Sequence, residues 1–312
     1  MCNNFQFLLC YKLTFDGFYE VAAINEIEWK KEIGYGGYIQ LLIEKFKGAH
    51  VVLQVKADAD SLIVKQTIEE AEKSDAVLIG DDTDLLVLLL YHAKMESHDI
   101  YFAPDYRSSS TRRVWDIKQT KRELGPNVCE HILFLHAFLG CDTTSRLFGV
   151  GKGAIIKKFK SNASLLRSAE IFNSVESSHK AIETAGEKVL VAVYNGKDES
   201  HNSLRHKKFI EKLATSTSHI EPKNLPPTAA AAKFHSYRIF LQICQWKDLA
   251  CDLEPSLWGW AQTVGGLFPI TTDLPPAPED LLKIIRCNCT TDCSSGSCSC
   301  QKYGMKCSLA CG

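Results

Sequence analysis

The apolar and polar positions of this chain are organised around residues 76–90. Ala76, Val77, Leu78 and Ile79 form an apolar run of strand length that stops at Gly80. Asp81, Asp82 and Asp84 follow, and residues 85–90 are apolar without a break. A strand that empties onto carboxylates is an active-site layout, because ligands of open α/β sheets sit outside the carboxyl ends of the strands. Further upstream, Ile39, Leu42, Ile43 and Phe46 fall at i, i+3, i+4 and i+7, one face of a helix that follows a glycine-rich loop at 34–37. The first thirty-odd residues carry little pattern. Residues 51–55 read as a second buried strand, and this one runs towards Asp58 and Asp60. Between the two strands, Ile63, Val64, Thr67, Ile68 and Ala71 share one side of a helix over 61–74, supported by the i, i+4 pair Glu69 and Lys73. Residues 51–80 thus have the length of a βαβ unit, which predicts parallel strands and acids delivered to one rim.

Downstream, 99–102 is a short strand candidate and 104–113 a polar, serine-rich loop. An apolar helix is predicted over 130–139, ending in Gly140, Cys141 and Asp142. Gly149, Gly151 and Gly153 then surround Lys152, and Ile155, Ile156 and Phe159 interleave with Lys157, Lys158 and Lys160. Helix, glycine-rich turn and basic helix is the sequence form of a helix-hairpin-helix, whose amides and helix N-terminus can hold a phosphate. The same lysines also fit a solvated helix face. Further helices are expected at 165–172, 189–194, 204–213 and 228–246, and the proline-rich stretch at 273–278 reads as a linker.

Composition narrows the classes. Net charge is −1, so any nucleic-acid surface has to be a local patch. Of 13 cysteines, seven fall between Cys287 and Cys311 and the others are scattered, a distribution that favours a reducing compartment with one metal-bound knot over a disulfide framework. No apolar run approaches the ~20 residues of a membrane helix, and 5–11 lacks the flanks of a signal peptide. The expectation is an intracellular, nuclear protein with no membrane partner.

Asp58, Asp60, Asp82, Asp84 and Asp142 are the candidate catalytic and metal-binding residues. Two divalent cations ~4 Å apart stabilise both the attacking and the leaving oxygen of a phosphodiester, and Mg²⁺ or Mn²⁺ takes carboxylate oxygens. The competing reading is that Asp60 and Asp82 are helix N-caps, each worth about 1 kcal/mol. Asp58-Ala59-Asp60, Asp82-Thr83-Asp84 and Gly140-Cys141-Asp142 leading into Gly149-Val150-Gly151 together resemble the flap endonuclease branch of the PIN-like nucleases. The resemblance covers roughly residues 40–165. It implies a parallel sheet flanked by helices, two metal ions on those acids, and DNA (RNA as the alternative) held by Gly149, Gly151, Lys152, Gly153, Lys157 and Lys158. The chain departs from the family in having Asp-Ala-Asp where glutamates are usual, and no family-like first catalytic strand precedes residue 51.

Cys287, Cys289, Cys293, Cys298, Cys300, Cys307 and Cys311 form the densest local signal. Thiolates at that density are the ligand set of tetrahedral Zn²⁺, with a disulfide knot as the alternative. Their spacing resembles a tesmin-type CXC motif, which implies a small zinc cluster in a DNA-binding module; Arg286, Lys302 and Lys306 would then contact phosphates. The family pattern continues past the seventh cysteine, and Ser297 stands where it has a tyrosine.

The expected organisation is a mixed α/β, PIN-like domain over 1–165 that is N-terminally incomplete, a helical accessory region over 166–272, a linker over 273–286, and a cysteine-rich tail over 287–312 that is C-terminally incomplete. Function is read as a metal-dependent, structure-selective nuclease; the alternative is a non-catalytic DNA-binding protein that keeps the nuclease fold and the zinc module. His131 and His136, on the apolar helix, are expected as satisfied core or surface histidines. Trp246, Trp258 and Trp260 are expected as core anchors.

Overall fold

The computed structural model describes residues 9–14, 17–19, 60–103, 114–197, 200–215, 220–249, 253–274, 287, 298–302 and 307. The helix expected at 39–46, the strand at 51–55, the loop at 104–113, most of the linker, and Asp58, Cys289, Cys293 and Cys311 lie outside the described residues.

The fold is mixed α/β and mostly helical. Strands β1 (Leu9–Thr14), β2 (Gly17–Tyr19), β3 (Ala76–Ile79), β4 (Ile100–Ala103) and β5 (Trp115–Asp116) make one sheet in the order β2-β1-β3-β4-β5. Only β3 and β4 run parallel in it; β1 is antiparallel to both β2 and β3, and β5 is antiparallel to β4. The sheet is therefore mixed where a parallel one was expected. Both edges of β3 are taken, by β1 and β4. The crossover joining the parallel pair contains α2 (Thr83–His92), while α1 (Asp60–Ala71) precedes β3 and packs on α2.

Pattern explains which helices are buried. In α2 the residues Leu85, Val87, Leu88, Leu89 and Leu90 are all buried, and a helix apolar nearly all round has to lie inside. The expected helix at 130–139 is preceded by α3 (Ile117–Leu124) and is itself broken at His131, giving α4 (Pro126–Glu130) and α5 (Ile132–Leu139). Gly125, at φ +84°, separates α3 from α4, where a side chain would be strained. Every residue of α5 is buried. After it come α6 (Lys152–Ser161), α7 (Ala163–Asn173), α8 (His179–Val193), α9 (His201–Thr215) and α10 (Ala229–Trp246). Helix α10 packs against α5, α7 and α8, and the Phe134 ring on α5 meets Phe138, Phe159 and Phe172. One continuous apolar core thus runs from Ile63 to Trp258.

A hairpin of β6 (Trp260–Thr263) and β7 (Gly266–Pro269) is tied to α10 by buried Arg238, whose Nη1 donates to the carbonyls of Gly259 (3.1 Å) and Ile270 (2.8 Å). Trp258 stacks on His179 with centroids 4.2 Å apart and packs on Phe240, the core anchor expected of it. In the tail, α11 (Ser299–Lys302) is a single short turn of helix.

Candidate functional site

Of the acids predicted as one constellation, Asp60, Asp82, Asp84 and Asp142 lie among the described residues. Asp60 opens α1 and is buried. Asp82 is the N-cap of α2, its Oδ1 accepting the Asp84 N–H at 2.9 Å, which is the capping geometry weighed against catalysis. Asp84, in the first turn of the same helix, is buried; its Oδ1 lies 2.6 Å from His136 Nε2 on α5. His136 Nδ1 in turn meets Lys152 Nζ, the first residue of α6, at 3.4 Å. An ammonium can only donate, so Nδ1 is the acceptor, and Nε2 carries the hydrogen donated to Asp84. The Trp246 ring lies 5.8 Å from the imidazole, centroid to centroid, across the same site.

Asp142 is exposed beside Cys141, in a loop pinned from two sides. Thr144 Oγ1 donates to the Ala137 carbonyl and accepts the Cys141 N–H, and Thr143 Oγ1 donates to Gln242 Oε1 of α10. Gly140 begins this loop at φ +106°, and a Cβ there would come within 2.7 Å of the Arg146 backbone. Gly149, Gly151 and Gly153 are exposed with open space around them. Of the lysines expected on phosphate, Lys152 is held by His136. Lys158 donates to the Ala192 carbonyl and Asn195 Oδ1, closing the C-terminal end of α8, and Lys157 is exposed. The stretch between α5 and α6, residues 140–151, is longer than the tight turn of a helical hairpin.

Among the described residues, one group of three or more His, Cys, Asp or Glu side chains has its ligand atoms within 4.8 Å of one another: Cys287, Cys298, Cys300 and Cys307. Among the described residues, Asp60, Asp82, Asp84 and Asp142 do not bring three ligand atoms within that distance; Asp82 caps α2 and Asp84 bonds His136. The thiols fit zinc well. Cys298 Sγ is 3.6 Å and Cys287 Sγ 3.8 Å from Cys307 Sγ, and a tetrahedron of ~2.3 Å Zn–S bonds has edges of ~3.8 Å. Cys287, Cys298 and Cys300 are buried and Cys307 is exposed. The Gln301 backbone N–H on its sulfur, helped by bonds from Cys307, Cys287 and the Cys300 backbone, pulls the Cys298 thiol down to about 6 against the opposing effect of burial. A thiolate there at neutral pH is what a metal ligand requires.

His136 is the residue that sequence reasoning passed over as ordinary core. It is satisfied, as expected, but by an acid and a lysine. The available signal was its place one helical turn before Gly140-Cys141-Asp142, on the helix that leads to the glycine-lysine segment. His131 keeps its plain role, its Nδ1 accepting from Asn173 Nδ2 at 2.9 Å. Compared with protein-family models, curated proteins and solved structures, the chain matches none.

Proposed function

We propose that this is a DNA-binding protein whose cysteine-rich tail holds structural Zn²⁺ and whose α/β body is a PIN-like, nuclease-derived scaffold. The observation that carries the reading is the four-thiol cluster, with sulfur spacings matching the edges of a zinc tetrahedron. Zn²⁺ there supplies folding free energy to a segment with few apolar residues, fixing the short helix that carries Lys302; in sequence Arg286 directly precedes Cys287 and Lys306 directly precedes Cys307. Those cations, and separately Lys157 beside the exposed Gly149, Gly151 and Gly153, are the positive groups that a chain of net charge −1 would offer to phosphates.

A second reading, a metal-dependent nuclease, is favoured by one observation. Asp82 and Asp84 sit just past the carboxyl end of β3, beside its parallel neighbour β4, where ligands of α/β sheets bind.

One experiment separates the two. The zinc-loaded full chain is incubated with duplex, flap, bubble and single-stranded DNA, with and without Mn²⁺, beside Asp82→Ala/Asp84→Ala and Cys298→Ser variants. The expected outcome is binding that weakens with Cys298→Ser, survives the aspartate changes and produces no cutting. Mn²⁺-dependent cutting lost in the aspartate variant establishes the nuclease instead, and absence of binding to every DNA overturns both.

A further inference from the structure

We propose that Lys152, acting through His136, is the built-in counter-cation of Asp84, so that this acid is neutralised within the chain and takes no divalent ion. The inference is independent of whether the chain binds DNA.

Asp84 is 9% exposed and His136 6%. A carboxylate removed from water to that degree is costly unless it is paired and hydrogen-bonded. The first turn of α2 and the His136 N–H supply dipoles, yet neither brings a net positive charge. Lys152 does. Its ammonium donates into Nδ1, the opposite nitrogen donates into Oδ1, and the two bonds polarise one another along a single line of three side chains. The line joins α2 to the consecutive helices α5 and α6, so it also fixes where the glycine-lysine segment begins relative to the acids.

Basic side chains on and beside α2 and α10, the helices packed on α5, bond to other partners. His92 of α2 lies 3.0 Å by its Nε2 from the Trp246 carbonyl, and Lys247 donates to Asn173 Oδ1 at 2.8 Å. His235 of α10 lies 3.1 Å from the Phe138 carbonyl. A divalent cation arriving at Asp84 would meet an oxygen already bonded to Nε2–H and a lysine charge one imidazole away. Like charges so placed oppose its binding.

The test uses the full zinc-loaded chain and no nucleic acid. Thermal midpoints are measured for wild type, Lys152→Met, Asp84→Asn and the double variant, and Mn²⁺ uptake is followed by water-proton relaxation. Lys152→Met is expected to lower the midpoint by about 2–4 °C in the wild-type background. In the Asp84→Asn background it is expected to cost almost nothing, since the charge it serves is gone. Lys152→Met should also gain Mn²⁺ uptake and recover its midpoint in Mn²⁺, both lost again in the double variant. Wild-type uptake that Asp84→Asn abolishes would overturn the proposal, and so would a Lys152→Met cost that is the same in both backgrounds.

Discussion

His235 shows how far burial moves a single residue's chemistry. Its Nε2 lies against the Phe138 carbonyl, while its buried Nδ1 has no hydrogen-bond partner. Burial, reinforced by the Arg238 charge and only partly opposed by the bond to Phe138, pushes its pKa down to about 4. The folded state therefore keeps the ring neutral, whereas the unfolded chain takes up a proton near pH 6.5. Between those values the unfolded state binds more protons, so stability falls as pH drops from 6.5 towards 4 and levels off above 6.5, a change of roughly 3 kcal/mol in full. Urea midpoints of wild type should decline from pH 7 to pH 5 more steeply than those of His235→Gln. Equal slopes would show that the ring is not held neutral. The same residue type marks the limit of reading chemistry from sequence. Aspartates after an apolar run are visible because charge beside apolar residues demands an explanation, and the capping role of Asp82 could be weighed in advance. His136 sits in an apolar helix much as His131 and His235 do on theirs, and nothing local tells that its partners are an acid from α2 and a lysine from α6.

Elements with a strong period were legible, and those set by pairing were not. Helix α7 was expected over 165–172 and occupies Ala163–Asn173; α10 was expected to begin near Thr228, which serves as its N-cap, accepting the Ala231 N–H. Strands β1 and β2 lie in a stretch without alternation, because their place comes from bonding to β3 and to each other. Close approach of helices is likewise invisible locally. Gly186 lies in the middle of α8, and an added Cβ would come within 2.9 Å of Ser236 Cβ on α10 and still closer to its hydroxyl. Alanine would gain ~1 kcal/mol of helix propensity over glycine there. Forcing apart a packed helix pair costs typically ~1–3 kcal/mol, and the contact is with Cβ, which no change of Ser236 rotamer relieves. Gly186→Ala is therefore expected to lower the urea midpoint, and pairing it with Ser236→Gly should restore much of the loss. A stabilised single variant would mean that the two helices are not so close.

At the scale of the whole molecule, the apolar core crosses residue 165, the boundary expected between the nuclease-like domain and the helical accessory region. Phe134 before it meets Phe172 after it, and α10 closes on α5. No described residue after Ile270 belongs to that core or packs against it. The body thus draws its stability from apolar burial, and on the proposed zinc reading the tail, poor in apolar residues, draws its own from the metal. Chelation should then act on one and spare the other. Stripping Zn²⁺ from the full chain is expected to leave the body's thermal midpoint within about 2 °C of the loaded value, near the ~±0.5 kcal/mol expected of changes outside a core. The same treatment should make the chain beyond residue 286 readily cleaved by trypsin and abolish the DNA binding proposed for the tail. Cys298→Ser and Cys300→Ser should reproduce all three effects with the metal still in solution. Were the body to melt along with the tail, the thiol cluster would be a keystone of the whole fold, and the division between a burial-driven body and a metal-driven tail would have to be abandoned.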